Sequence, residues 1–123
     1  MSQLRPPLIV DEHGDLKLFR DVSSMEGWME AIDVQNNEYV VYDSEGRLVE
    51  LTTAEVPTRA LFGLLKGSAE VVRMSSVEAD PTRATELYNK LRSHLEHLKE
   101  AVSPQATLPE LVDRLQKRAG FVA

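Results

Sequence analysis

The chain has no cysteine, which excludes a disulfide framework, a thiolate metal site and a cysteine nucleophile, and fits a reducing compartment. Aromatic residues are scarce at 6%, with a single tryptophan, Trp28. The opening MSQLRPPLIV carries one arginine and a short apolar run broken by two prolines, so it reads as neither a signal peptide nor a membrane anchor. The expectation is therefore a cytoplasmic protein that stays where it is made. There is no internal repeat, low-complexity tract or long linker. What is there is 123 residues, enough for one domain that buries roughly two-thirds of its unfolded surface; residues 1–6 are expected to be flexible.

The net charge of −6 hides an asymmetry. Met1 to Val56 holds 12 acids against 4 bases, a balance of −8, whereas Pro57 to Ala123 holds 8 acids and 10 bases, a balance of +2. An acidic half repels phosphate backbones and raises encounter rates with basic partners. Nucleic acid is thus not an expected partner.

The clearest structural signal is EYVVYDSEGRLVELT, Glu38 to Thr52. Two runs rich in Val, Leu and Tyr flank Asp-Ser-Glu-Gly, where glycine supplies the positive φ of a short hairpin loop. Alternation puts Tyr39 and Val41 on one face and Val40 and Tyr42 on the other, with Val49 and Leu51 opposed to Leu48 and Glu50. Upstream, PLIV, DEHGD and LKLFR read as a first hairpin turning at Gly14. VSSMEGWMEAID reads as one short amphipathic helix: Ser23 and Glu26 stand at capping-box spacing, and Val22, Met25, Trp28, Met29 and Ile32 form its apolar face.

Downstream, a short helix is expected near Thr58 to Lys66, stopped by Gly67, and AEVVRMSSV as a further strand with Val72 and Met74 on one side. Asp80-Pro81 should start a long helix whose stripe of Ala84, Tyr88, Leu91, Leu95, Leu98 and Val102 repeats at alternating steps of 4 and 3. Thr107 and Glu110 then cap a last helix that Gly120 ends. The expected fold class is α+β: an antiparallel sheet of four or five strands, a short N-terminal helix, and a C-terminal helical hairpin packed on one face.

Chemistry is harder to find. His94 and His97 lie three apart on the long helix with Glu100 nearby, but spacing places no third ligand. DEHGD groups Asp11, Glu12 and Asp15 around His13 without the spacing of a calcium loop. No serine sits in a nucleophile motif, and GLLKG lacks the second half of a phosphate loop. The C-terminal bases alternate with Glu86, Glu96, Glu100, Glu110 and Asp113, the pattern of a solvated face. The reading is thus not an enzyme, with no cofactor and no metal.

That leaves binding. Tyrosine and tryptophan among carboxylates are the composition of an interface that grips a basic partner. The candidate contacts are Asp11, Glu12, Asp15, Glu26, Trp28, Glu30, Asp33, Glu38, Asp43 and Glu45.

The stretch from PLIVDEHGDLKLF to DVQNNEYVVYDSEGRLVELT, Pro7 to Thr52, resembles small cytosolic immunity proteins of bacterial polymorphic toxin systems, including those of type VI secretion effectors. The resemblance implies neutralisation of a cognate toxin acting in the cytoplasm, by tight binding that occludes its active site. An acidic inhibitor suits a basic, anion-handling cleft, because carboxylates can imitate phosphates there. Two alternatives come from other classes: an export chaperone like those of type III secretion, holding an extended effector segment and commonly dimeric, and a small metal-dependent enzyme using His94 and His97. The sequence does not fix the oligomeric state.

Overall fold

The computed structural model describes residues 3–60 and 65–122, with side chains for 3–57 and 69–122. Five strands form one antiparallel sheet: β1 (Leu8–Glu12), β2 (Asp15–Phe19), β3 (Val40–Tyr42), β4 (Leu48–Ala60) and β5 (Leu65–Val77), in the spatial order β2-β1-β3-β4-β5. Helices α1 (Val22–Trp28) and α2 (Ala31–Gln35) lie on one face, and α3 (Ala84–His97) and α4 (Leu108–Ala119) on the other. The α+β fold with a helical hairpin over one face of the sheet is therefore present.

Strand alternation divides the core in two. Leu8, Val10, Phe19, Val41, Val49 and Val72 pack under Met25 and Met29 on the α1/α2 side. Ile9, Leu16, Leu18 and Tyr42 meet Leu87, Leu91, Leu95, Leu111 and Leu115 on the other. β1 is buried on both faces because it is the strand that both helical layers cover, which is why LIV is a continuous apolar run. Val49 and Leu51 join the first layer and Leu48 the second, as alternation predicts.

Local chemistry sets the turns. His13 and Gly14, at φ 53 and 94, make a two-residue turn that joins β1 to β2. The β3–β4 turn is organised by Asp43, which has 0% exposure. Its carboxylate accepts from the backbone N–H of Arg5 (3.1 Å), Glu45 (2.9 Å) and Arg47 (2.9 Å). Gly46 sits in the same turn at φ +93, and a Cβ there would fall 2.5 Å from Ala84 Cα, so the turn docks directly on the start of α3.

Several expectations are corrected. The segment read as a helix at Thr58 to Lys66 is strand at Thr58–Ala60 and Leu65–Lys66, while 61–64 lie outside the described residues. Its apolar residues follow no single helical stripe, and pairing with the facing strand over Val49 to Ala60 prevails. Pro57 is tolerated in β4 because, among the described residues, β3 pairs with Leu48 and Val49 alone and Pro57 lies beyond that pairing. The single N-terminal helix is two, separated at Met29 and Glu30, and Ile32 is 60% exposed instead of lying on a buried face. Its cap is Asp21, which accepts from Ser24 N at 2.8 Å, not Ser23. The long helix starts at Ala84 without a side-chain cap and ends at His97, with Lys99 at φ 65. Thr107 does cap α4, accepting from Glu110 N, and Gly120 ends it at φ 75.

Candidate functional site

The ten candidate contacts do not form one patch. Register places Asp11 opposite Val40 and Ile9 opposite Tyr42. Glu12, Asp15 and Glu38 therefore gather at the His13 end of the sheet, while Asp43 and Glu45 lie at the other. Asp43 is buried and occupied by its own turn, so it offers no contact surface, and Glu45 is ion-paired with Arg47. Asp11 is also turned inward: it faces α3, accepts from Gly14 N at 2.7 Å and pairs with Lys90 at 2.6 Å.

Of the remaining candidates, Glu12, Glu30 and Asp33 lie with Trp28 and Tyr39 on the α1/α2 face, whereas Glu38 alternates with Tyr39 and turns to His13, and Asp15 also borders the cleft on the α3 side. Trp28 is half-buried, tilted against Phe19 (ring centroids 5.3 Å) and Tyr39 (5.9 Å). Lys17 Nζ lies 5.6 Å from the Trp28 ring and bonds Asp15, with Glu12 at 3.9 Å. The Tyr39 hydroxyl donates to Asp33 at 3.1 Å. Burial and this carboxylate together push the Tyr39 pKa up to about 12, so the phenol stays protonated as a donor. Glu38 bonds the exposed His13 and raises its pKa. Glu30 stays exposed between α1 and α2. The product is an aromatic centre rimmed by carboxylates, with Lys17 as the base set against it.

Glu26, expected on the wet side, instead accepts from Met74 N at 2.6 Å, joining α1 to β5. Sequence reasoning missed this link and the role of Lys17. The second was readable, since Lys17 alternates with Leu16 and Leu18 and must share a face with Phe19.

A second feature lies across the sheet. A cleft of about 650 Å³ opens between the β1–β2 turn and α3, lined by His13, His94, His97, Asp11, Asp15 and Lys90 among others. All three histidines of the chain thus border one space, although the sequence separates His13 from the other two. Burial lowers the His94 pKa, against the pull of Asp15. Among the described residues no three or more His, Asp or Glu side chains are placed to hold a metal ion. Glu100, the third ligand considered, instead pairs with Arg114 and Arg118, each at 3.3 Å.

Beneath the cleft, Tyr42, Lys90, Asp11 and Glu86 form a polar network. Lys90 Nζ lies 2.6 Å from the Tyr42 hydroxyl, which in turn donates to Glu86. Burial and the Glu86 bond raise the Tyr42 pKa. Among the described residues no helix is long and apolar enough to cross a membrane. Comparison with family models, with curated proteins and with solved structures finds no match to this chain.

Proposed function

We propose that the chain is a non-catalytic binding protein that neutralises a cognate, cytoplasm-acting toxin by occupying a basic cleft. The observation behind this reading is the Trp28 face. A half-buried indole held between Phe19 and Tyr39, with Glu12, Glu30 and Asp33 beside it, combines a rigid anchor with carboxylates that match a positively charged site. The partner is a protein, and the reading involves neither nucleic acid nor membrane.

Capture followed by rescue tests it. A stoichiometric partner recovered with the wild-type chain is expressed alone and together with it. Growth arrest alone and growth in company support the reading, whereas a partner harmless to the cell contradicts it. The export-chaperone reading draws on a different observation, the long β4–β5 hairpin whose strands extend past the two positions where β3 pairs. A dimer carrying a secreted effector would favour that alternative.

A further inference from the structure

β5 ends the sheet, and three contacts give the direction of its backbone groups. Pro57 has no N–H and lies opposite Ser68. Proline fits a ladder where its nitrogen faces away from the paired strand, so Pro57 and Ser68 direct their main-chain groups away from each other. Alternation then turns Glu70, Val72 and Met74 outward as well. The other two contacts agree: Met74 N donates to Glu26 Oε2 at 2.6 Å, and Val72 O accepts from Arg73 Nη1 at 3.0 Å. A carboxylate and a guanidinium thus stand where the carbonyl and N–H of a sixth strand would be.

Beside this edge runs a groove of about 640 Å³, with Ser23, Glu26, Gly27 and Met29 of the α1 side on one wall and Glu70 to Arg73 on the other. Gly27 lies in the last turn of α1, one residue before its end, where alanine would also be accommodated. Among the described residues a Cβ there would meet nothing within 4 Å, so no contact among them calls for glycine. What its missing side chain provides is room beside the strand.

Charge selects the occupant. Glu55 and Glu70 stand directly opposite one another on β4 and β5, a like-charge pairing that weakens a ladder. Among the described residues the side-chain partner of Glu70 is the neutral amide of Gln35. A basic side chain opposite Glu70 on an added strand relieves this repulsion, and Glu26, once released from Met74, adds a second carboxylate to the groove wall.

We propose that the β5 edge is a strand-addition site for an extended basic segment of another protein, which pairs with Glu70 to Met74 and displaces Glu26 and Arg73 from the backbone groups they cap. The surface is separate from the Trp28 face and does not depend on the toxin reading.

A capped synthetic peptide of about eight residues alternating lysine with valine, long enough for a typical strand, is the probe. Amide hydrogen exchange by NMR should slow at Glu70 and Val72, which face outward, and stay unchanged at Val71 and Arg73, which face β4. Gly27→Ala should weaken peptide binding about tenfold, equivalent to about 1.4 kcal/mol, without lowering the thermal midpoint. A peptide N-methylated at alternate backbone nitrogens, or carrying glutamate for lysine, should not bind. No protection, protection at both sets of amides, equal binding by either control peptide, or unaltered binding by Gly27→Ala overturns the proposal. So does a dimer through β5 in sedimentation without peptide, which would make a second copy the occupant.

Discussion

The ammonium of Lys90 on α3 sits 2.6 Å from the carboxylate of Asp11 on β1. Burial alone would lower the Lys90 pKa, but the hydrogen bonds to Asp11 and Tyr42 outweigh it and the net shift is upward. The pair therefore joins the helical hairpin to a central strand through a bond formed largely out of water. Lys90→Met leaves Asp11 nearly buried without its counter-charge, at a cost of about 2 kcal/mol. Chemical denaturation checks this, and Asp11→Ala combined with Lys90→Met should cost less than the two single changes added together.

Asp43→Ala should be more damaging. The carboxylate satisfies three backbone N–H groups and the Arg47 guanidinium at 3.3 Å, all around one turn. Its removal leaves buried donors unpaired, and the loss in unfolding free energy should be about 3 kcal/mol or more. An unchanged denaturation midpoint would contradict this account of the turn.

Two glycines with positive φ should respond differently to alanine. At Gly46 the new methyl meets the α3 backbone at 2.5 Å, while at Gly14 it meets nothing within 4 Å. Gly14→Ala then loses about 1 kcal/mol for the left-handed conformation, and Gly46→Ala adds an overpacking cost of about 1–3 kcal/mol. Thermal melts of the two variants give the order directly.

The His94 pKa lies below the ordinary 6.5 because partial burial disfavours the charged ring, although Asp15, Asp11 and the Gly14 backbone oppose the shift and His97 adds to it. A folded-state pKa below the unfolded value means that the unfolded chain binds the proton first. Stability should therefore fall as pH drops below about 6.5 and level off beneath the folded pKa. His13, raised by Glu38, acts with the opposite sign but is fully exposed. Denaturation midpoints measured across this window should show a shallower pH slope for His94→Gln than for the wild type.

Much of this architecture was legible because local signals agreed with tertiary ones. The polar turn at Gly14, the alternation through Tyr39 to Tyr42 and the Thr107 cap each point to a single local structure. Where they conflicted, the reading failed. Val22 to Ile32 has helical spacing throughout, yet the chain leaves the helix at Met29 in extended conformation and Ile32 emerges at 60% exposure. The outer β4–β5 hairpin carries apolar residues without a strand's alternation, and only its cross-strand register identifies it.

The candidate site was legible in composition more than in place. Trp28, Glu30 and Asp33 do come together around Tyr39, but Glu38 turns to His13, and Asp43 and Asp11 are structural carboxylates that no local pattern separates from surface ones. Nor could spacing bring His13 to His94 and His97, because that proximity depends on how α3 crosses the β1–β2 turn.

The most direct measurement compares capture from native lysate by the wild-type chain and by a variant carrying Glu12→Lys and Glu30→Lys. These substitutions reverse the rim around Trp28 while sparing Glu26, which holds Met74, and Asp33, which holds Tyr39. With both proteins confirmed folded by circular dichroism, a stoichiometric basic partner should stay with the wild type and be lost from the variant. The same partner held equally by both would contradict the claim that the Trp28 face is the binding surface.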